Sequence, residues 1–464
     1  MTEICRASGH KELFDTLVVY ENYPIEASAE SIGGDISITD IDVHETVHYP
    51  LALQFTPGAE LRLQVDYSAE LFDTSMIEQL ADRLRRVLEA VVADPQRRLS
   101  SIELLGQHEL TRLARFSNRA VLAEPTAAVS IPVMFAAQAE RTPDAVALVF
   151  EQQSWTYGEL DEASTRFAHL LVDRGIGEGD IVALMLPRSG SAIVSTLGVL
   201  KAGAAYLPID VRHPDERVGF LLADASPVAV VTDGAFAPRL IGYDVPVIDV
   251  TDPALATRPV ASLPVPPESA VAYIIHTSGT TGTPKGVAVT HAGVFELISD
   301  QIARFGIGED SRVLQFASWS FDATVFEIWV TLVTGATLVI PPDDAATRIS
   351  GLSDLIDEFG VTHMTLTPSA LATLPPEGLE SVRSLVVAGE ACPVELVDRW
   401  APGRSMVNAY GPTEATVCAT VSEPLVAGAG TPSIGRPISG TAVFVLDSGL
   451  SEVPVGVIGE LYIA

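Results

Sequence analysis

The sequence predicts an α/β protein with parallel sheets covered by helices, preceded by a smaller α+β segment. From about residue 130 onward, short apolar strands alternate with helices of roughly 10 to 15 residues, which is the pattern of parallel sheets. Before about residue 105, strand-like stretches are followed by one amphipathic helix. A chain of 464 residues is also too long for one ordinary core, so several domains are expected.

The first of these regions contains three strand candidates and a helix. Residues 13–20, 46–55 and 60–67 show β-type enrichment or alternation. Residues 73–92 place apolar side chains at helical spacing, namely Met76, Ile77, Leu80, Leu84, Val87, Leu88 and Val91. Pro95 should end this helix, because proline disfavours helix in the residue before it. Residues 106–128 then have the composition of a linker.

The second region supplies the parallel sheets. Its strand candidates are residues 145–150, 181–186, 228–232, 272–276, 312–316, 337–340, 363–366, 385–388 and 406–409. Helices are expected at 157–173, 191–202, 292–304 and 323–333. Residues 225–230 form a strand that fits either an exposed sheet edge or the interior of a sheet. Residues 459–464 resemble a strand with no turn after it, so the sequence predicts a chain cut from a longer one.

Charge and cysteine usage exclude several classes of function. There are 28 lysine and arginine residues against 60 aspartate and glutamate residues, a formal net charge of −32. Such a surface repels phosphate backbones and anionic lipid, so neither a nucleic acid nor a membrane is expected as a partner. Cys5, Cys392 and Cys418 are too far apart for a disulfide framework or a metal site. With no apolar leader or run of 18 apolar residues, a soluble cytoplasmic protein is expected.

A glycine- and threonine-rich loop follows the strand candidate at residues 272–276. Its residues are Thr277, Ser278, Gly279, Thr280, Thr281, Gly282, Thr283, Pro284, Lys285 and Gly286. Glycines let backbone N–H groups approach an anion, and the hydroxyls and Lys285 add donors. It is not a Walker A loop, since Pro284 stands where the second glycine should be and Gly286 replaces the Ser/Thr. The loop therefore predicts a phosphate site, against the alternative of a mobile surface loop.

The loop is similar to the signature loop of the adenylate-forming enzymes, which include acyl-CoA ligases, luciferases and the adenylation domains of nonribosomal peptide synthetases. Residues 155–160, 200–210, 321–324 and 408–414 resemble further motifs of the adenylation domains, in the expected order. The resemblance implies an adenylation-domain N-terminal subdomain at residues 129–464, with the start of a β-barrel subdomain at its end.

A weaker resemblance covers residues 1–105, which look like the last part of a condensation domain. Residues 13–16 and 20–24 carry it, and the family's His-His-x-x-x-Asp-Gly motif is absent from the sequence. No peptide-bond chemistry is therefore expected of this segment, and residues 106–128 are expected to link the two domains.

The resemblance implies amino-acid adenylation, in which ATP and an amino acid give aminoacyl-AMP and pyrophosphate. The implied nucleotide contacts are Thr277, Ser278, Gly279, Thr280, Thr281, Gly282, Lys285, Gly389, Asn408, Ala409, Tyr410, Gly411 and Thr413. Tyr410 would lie against the adenine face, Asn408 would bind its amino group, and Thr413 would contact the α-phosphate. The implied catalytic residues are Thr281, Thr413 and Glu414.

Two carboxylates have further implied roles. Glu414 would hold Mg²⁺, which prefers oxygen ligands shared with phosphates; the alternative is a surface or helix-capping carboxylate. Asp322 matches the family's aspartate that pairs with the substrate ammonium, and an unpaired buried charge would be expensive. Ligases for fatty acids would not need this acid, although Asp322 could also cap the following helix.

The side-chain pocket of the amino acid is expected to be apolar. The positions anchored on the motifs are Asp322, Ala323, Phe326, Thr365, Val386, Ala388, Ala409, Val417 and Cys418. Apart from Asp322 none is charged, and Thr365 is the polar exception. A large apolar substrate such as phenylalanine is predicted first, with tyrosine, tryptophan or leucine next.

Further partners and limits are implied by the same resemblance. A carrier domain outside this chain would hold phosphopantetheine, and an MbtH-type accessory protein could dock on residues 225–230. The family's mobile C-terminal domain, with its catalytic lysine, lies beyond residue 464, so the chain is expected to bind nucleotide but turn over poorly. The alternatives are a ligase for another carboxylic acid and a noncatalytic docking platform.

Overall fold

The structure is a computed structural model that describes residues 14–21, 49–123, 127–278, 282–342, 349–375 and 379–464. The chain divides into two compact units, Met1–Thr111 and Arg112–Ala464. None of the helices in these described ranges combines the length and the apolar character needed to cross a membrane.

The described part of the first unit is a small sheet packed on a helix. Strands β1 (Thr16–Tyr20), β2 (Leu51–Thr56) and β3 (Arg62–Tyr67) lie in that order, with β1 parallel and β3 antiparallel to β2. Helix α1 (Thr74–Ala93) buries Ile77 against β2. The predicted helix at residues 73–92 is therefore confirmed.

The remaining helices are α2 (Gln107–Phe116), α3 (Ile131–Arg141), α4 (Tyr157–Asp173), α5 (Gly190–Lys201), α6 (Asp215–Ala225), α7 (His291–Phe305), α8 (Ala323–Leu332), α9 (Ile349–Glu358), α10 (Pro368–Ala372) and α11 (Val394–Trp400). The helices predicted at residues 157–173, 191–202, 292–304 and 323–333 are confirmed to within one residue at each end, and the others were not assigned as helices from the sequence. Short 3₁₀ turns occur at Leu99–Ser101, Arg119–Ala123, Ala237–Leu240, Pro253–Thr257 and Thr413–Ala415. The predicted linker, residues 106–128, thus contains α2 and one of these turns.

The strands of the second unit follow the predicted alternation with helices. They are β4 (Val146–Phe150), β5 (Gln153–Thr156), β6 (Ile181–Leu184), β7 (Ala205–Pro208), β8 (Ala229–Thr232), β9 (Val247–Asp249), β10 (Val271–Thr277), β11 (Lys285–Thr290), β12 (Arg312–Leu314), β13 (Thr337–Ile340), β14 (His363–Leu366), β15 (Ser384–Ala388), β16 (Ser405–Tyr410), β17 (Thr420–Val421), β18 (Arg436–Pro437), β19 (Val443–Leu446) and β20 (Glu460–Ile463).

One sheet has the order β11-β10-β7-β6-β8-β9, parallel except for β11. Strand β8 lies between β6 and β9, through Val182↔Ala229 and Val230↔Val247. Of the strand predicted at residues 225–230, only Ala229 and Val230 belong to β8, since Ala225 ends α6, and the edge interpretation is wrong. The four residues of β8 are all buried, as expected of an interior strand of a parallel sheet.

A second sheet has the order β18-β17-β16-β15-β14-β12-β13-β4-β5. Strands β16, β15, β14, β12, β13 and β4 are parallel, and β5, β17 and β18 are added antiparallel. Strands β19 and β20 pair as a separate hairpin. The predicted parallel sheets covered by helices are confirmed.

Helix α8, which follows the predicted ammonium-binding residue Asp322, lies in the protein interior. All its residues from Thr324 to Leu332 are buried, and a helix that is apolar nearly all round belongs to the interior of a protein. Its neighbour α7 begins at a Thr290 cap, whose hydroxyl accepts from the backbone N–H of Gly293, and ends at Gly306 with φ of +65°. Side chains on these two helices are thus held in defined directions.

Candidate active site

The carboxyl ends of strands β14, β15 and β16 form one edge of the larger sheet. Val386 is in register with Thr365, and Ala388 is in register with Ala409. Paired residues in neighbouring strands point to the same face, as do residues two apart on one strand. These four predicted pocket residues therefore share one face at the carboxyl edge, where open α/β sheets bind ligands.

Helices α7 and α8 cover that face. Phe326 of α8 belongs to the same buried cluster as Val386, Ala409 and Cys418. The cluster also contains Leu297 and Phe305 of α7, with Ala388 and Val417 packed against it. Of the other predicted pocket positions, Ala323 is the first residue of α8 and Thr365 is buried in β14. The structure thus brings most of the predicted pocket together.

Asp322 stands immediately before α8, at its N-cap, but its side chain makes no capping hydrogen bond. Burial raises the pKa of Asp322, whereas the nearby Thr413 side chain acts in the opposite direction and the charge of Glu414 adds to the increase. The predicted ammonium-binding residue therefore lies near the predicted nucleotide-binding turn.

Strand β16 presents the predicted adenine contacts. The Tyr410 side chain is 43% exposed at the strand end, whereas Asn408 is 5% exposed. The Asn408 side-chain amide donates to the backbone oxygen of Ser433 at 3.1 Å, which fixes its orientation. An exposed aromatic face beside a held amide fits the stacking and hydrogen-bonding needs of a purine.

The turn after Tyr410 requires a glycine. A Cβ atom at Gly411 would lie 2.5 Å from both the backbone nitrogen of Ala419 and the Cα of Cys418. Farther along the turn, Thr416 and Val417 have φ of 54° and 72°, which is strained for β-branched residues. The predicted Gly389, after β15, is exposed and has φ of +84°.

The predicted phosphate loop joins β10 to β11 as a hairpin, with Thr277 paired to Lys285. Ser278 is exposed beyond the strand end, and Gly282 has φ of +82°. Strand β11, into which the loop leads, contacts the Thr413–Ala415 turn. Three of its predicted residues lie outside the described ranges, and their contacts stay predictions; they are Gly279, Thr280 and Thr281.

Sequence reasoning missed a buried clamp on the loop that leads to Asp322. Glu327, fully buried on α8, accepts from the backbone N–H groups of Phe316 (3.1 Å) and Ala317 (3.1 and 3.2 Å). From the other side, the Arg188 guanidinium donates to the carbonyls of the same two residues at 2.6 and 3.0 Å. Gln315, also fully buried, donates to Glu327 at 3.3 Å.

Burial and hydrogen bonding act in opposite directions on the pKa of Glu327. Burial raises the pKa of Glu327 to about 8, while the two backbone N–H groups and Arg188 favour the ionised form. The sequence did contain a signal, because a lone acid inside an apolar helix is rarely buried without partners. Those partners come from the segments that follow β6 and β12, which no local pattern could indicate.

A second hydrogen-bond pair holds the same loop. The Ser318 hydroxyl donates to Asp210 at 2.6 Å, and His213 is 3.1 Å from the hydroxyl of Ser320. Burial alone would raise the pKa of Asp210, but hydrogen bonds from Arg212 and Ser318 outweigh it and hold the pKa well below its usual range. The loop before Asp322 follows β12 of the larger sheet, whereas Asp210 follows β7 of the other sheet. The Ser318–Asp210 hydrogen bond therefore joins the loop to that second sheet.

The charged groups of the site fit a metal brought in with phosphates. Glu414 is exposed in the Thr413–Ala415 turn, and the described residues contain no group of three or more His, Cys, Asp or Glu side chains that could hold a metal ion. Mg²⁺ commonly takes only one or two protein carboxylates together with substrate phosphates and water. A single carboxylate beside a phosphate loop matches that preference.

Comparisons with known proteins agree with this geometry. The AMP-binding enzyme family matches residues 135–464, and the condensation domain family matches residues 1–114. The isonitrile lipopeptide synthase of Mycobacterium tuberculosis is 47% identical over 99% of this chain, and bacitracin synthase 3 of Bacillus licheniformis is 36% identical over 98%. The chain spans 18% and 7% of these two proteins.

Solved structures extend the likeness to three dimensions. The nonribosomal peptide synthetase FmoA3 in its AMPPNP-bound form is 27% identical with a TM-score of 0.86, covering 100% of this chain and 51% of that one. The N-terminal subdomain of Klebsiella oxytoca NpsA in complex with 3-hydroxybenzoyl-AMSN is also 27% identical, with a TM-score of 0.67 over 74% of this chain and 88% of that one. This chain therefore belongs to the AMP-binding enzyme family and joins a condensation-domain segment to an adenylation domain of the nonribosomal peptide synthetases.

Proposed function

We propose that the chain activates an amino acid as its adenylate. A carboxylate oxygen of the amino acid attacks the α-phosphorus of ATP, and the new P–O bond forms as the bond to pyrophosphate breaks. The nearness of Asp322 to Thr413 is the observation that supports this proposal. A carboxylate able to pair with an ammonium would then lie beside a predicted contact of the α-phosphate, as the joining of these two reactants requires.

The protein's share of the work is binding and alignment. The exposed ring of Tyr410 would hold the adenine, with Asn408 reading its edge. The loop between Thr277 and Lys285 would hold the outgoing phosphates through backbone N–H groups, hydroxyls and one ammonium. Mg²⁺ held by Glu414 would neutralise charge on the phosphates. Fixed donors around the α-phosphate would stabilise the charge that develops there.

The amino acid is proposed to have a large, mainly apolar side chain. Support comes from the cluster at the carboxyl edge, where Phe326 and Val386 meet the small Ala409. Small residues leave room for a bulky ligand while the surrounding side chains remain apolar. Phenylalanine is the first candidate, and tyrosine, tryptophan and leucine follow.

The experiment compares two stable analogues of acyl-adenylates by titration calorimetry on the 464-residue chain. One is 5′-O-(L-phenylalanyl)sulfamoyl adenosine, and the other is its 3-phenylpropionyl counterpart, which lacks only the amino group. Because removal of one partner of a buried ion pair costs about 3–5 kcal/mol, the aminoacyl probe should bind at least about 100-fold more tightly. The Asp322→Asn variant should remove the difference, whereas Asp354→Asn, at an exposed position of α9, should keep it.

Equal binding of both probes would favour a ligase for another carboxylic acid. The NpsA complex with a 3-hydroxybenzoyl ligand gives that alternative some support, at 27% identity. Binding is measured because it tests the ammonium contact without requiring turnover, which the sequence predicts to be poor.

Within a synthetase, the aminoacyl group would pass to the thiol of phosphopantetheine on a carrier domain outside this chain. A noncatalytic docking platform for an MbtH-type protein is a weaker candidate. The edge strand on which that idea depended lies inside its sheet, between β6 and β9.

A further inference from the structure

Gln301 is a buried polar residue on the face of α7 that covers the candidate side-chain pocket. Its exposed fraction is 1%. Residues four apart on a helix lie on the same face, and Leu297 and Phe305, one turn to either side, both belong to the pocket cluster. The Gln301 amide therefore lies among apolar side chains next to predicted pocket residues.

The partner of this amide is weak. Its nitrogen donates to the sulfur of Cys418 at 3.3 Å. Burial raises the pKa of Cys418 to about 12, so the sulfur belongs to a neutral thiol, which is a poor acceptor. In the part of the chain that the structure describes, no stronger side-chain partner of this amide is present. A buried polar group left without a good partner is unfavourable, so a ligand that supplies a better partner would be favoured.

The charged neighbours of Gln301 are already satisfied. Asp300 accepts from Arg304 at 2.9 Å and from the hydroxyl of Ser439 at 2.8 Å, and these bonds outweigh burial and lower the pKa of Asp300. The Asp300 carboxylate therefore already has its hydrogen-bond partners in Arg304 and Ser439. The Gln301 amide, which in the described part of the chain has only the Cys418 thiol as a side-chain partner, retains hydrogen-bonding capacity.

We propose that Gln301 is a specificity-determining residue that selects a bulky amino acid whose side chain carries a hydrogen-bonding group. This inference rests on the proposed amino-acid adenylation and, within its substrate class, ranks tyrosine above phenylalanine. A tyrosine-like side chain would satisfy the amide, whereas phenylalanine would leave it with the thiol alone. Sites that hydrogen-bond a hydroxyl reject the analogue that lacks it, because their own polar groups are then left unpaired. The Cys418 bond reduces that penalty, so a preference of about tenfold is expected.

Calorimetry with L-tyrosyl and L-phenylalanyl sulfamoyl adenosines on the 464-residue chain tests the proposal. The wild type should bind the tyrosyl probe about tenfold more tightly. Gln301→Leu, which keeps the shape and removes the amide, should abolish that preference without weakening the phenylalanyl probe. Gln138→Leu is the matched control, since Gln138 is equally buried on α3; it should leave the preference unchanged.

The outcomes distinguish a failure of the Gln301 proposal from a failure of the proposed amino-acid activation. Equal binding of the two probes to the wild type, or an equal loss of both in Gln301→Leu, overturns the role of Gln301 and leaves amino-acid activation standing. If neither aminoacyl probe binds, the proposed function fails and the inference fails with it. Should Gln301→Leu not fold, Gln301→Met provides a second variant, and the wild-type preference is measurable without either.

Discussion

The candidate amino-acid site has two ends that are built in different ways. At the ammonium end, Asp322 follows a loop held by hydrogen bonds to buried Glu327 and Asp210. At the side-chain end, the pocket residues meet in an apolar cluster, and Gln301 adds a single amide. Buried hydrogen bonds are directional and costly to break, while apolar packing tolerates substitutions that conserve volume. The ammonium end should therefore be the rigid one, and the side-chain end the adaptable one.

The largest effect is expected from breaking the clamp at the ammonium end. Glu327→Ala leaves the N–H groups of Phe316 and Ala317 buried without acceptors. The free energy of unfolding should fall by about 3–5 kcal/mol, because each buried donor left unpaired costs about 1–3 kcal/mol. Glu327→Gln retains an acceptor oxygen and should lose about 1–2 kcal/mol. Urea unfolding followed by tryptophan fluorescence measures this in the second unit, because all 4 tryptophans of the chain belong to it.

A matched control for the clamp is Glu395→Ala. Glu395 is exposed in the first turn of α11, so its loss should change the free energy of unfolding by only about 0.5 kcal/mol. If Glu327→Ala were as mild as this control, the rigidity assigned to the ammonium end would be wrong.

An intermediate effect is expected from Gly411→Ala, which would disturb both ends. The added methyl group would collide with the backbone of Cys418 and Ala419, next to the pocket and the nucleotide turn. A loss of about 2–3 kcal/mol in the free energy of unfolding is expected, because backbone cannot yield as a flexible side chain can. Gly234→Ala is the control, since nothing lies within 4 Å of its Cβ position. Thermal unfolding measures the stability of both variants, and equal stability of Gly411→Ala and Gly234→Ala would contradict the prediction.

The smallest effect is a pH dependence confined to the ammonium end. Burial raises the pKa of Asp322, and only its ionised form pairs with an ammonium. Binding of the phenylalanyl probe should be strongest above that pKa and weaken as the pH falls through it, by at most about tenfold per pH unit. The 3-phenylpropionyl probe should respond little. Calorimetry between about pH 4.5 and 6.5 keeps the probe's amino group charged; parallel curves for both probes would contradict this assignment.

Much of the fold could be predicted from local patterns. The helix over residues 157–173 follows from its apolar spacing, and the Thr156–Glu159 capping box explains its start. The strand predicted at residues 225–230 begins only at Ala229, and its position inside the sheet could not be predicted. An interior strand and an edge strand can have the same local sequence, and the difference lies in whether β9 pairs with it.

The candidate site likewise contains residues that local sequence predicts and residues that it does not. The motifs identified Asp322, Tyr410 and Thr413 because each stands in a short string whose residue types suit nucleotide or ammonium binding. Glu327 and Gln301 were missed, because a glutamate or glutamine inside an apolar helix carries no local sign of its partner.

The sequence by itself determined the order of strands and helices, the two-part organisation of the chain and the residues proposed to face a nucleotide. These features depend on periodicity and on short motifs, which act over a few residues. Only the tertiary structure decided that Thr413 lies near Asp322 and that Gln301 donates a hydrogen bond to Cys418, 117 residues away in the chain. Such pairs form where helices pack on the carboxyl edge of a sheet, and which buried polar group finds which partner depends on that packing.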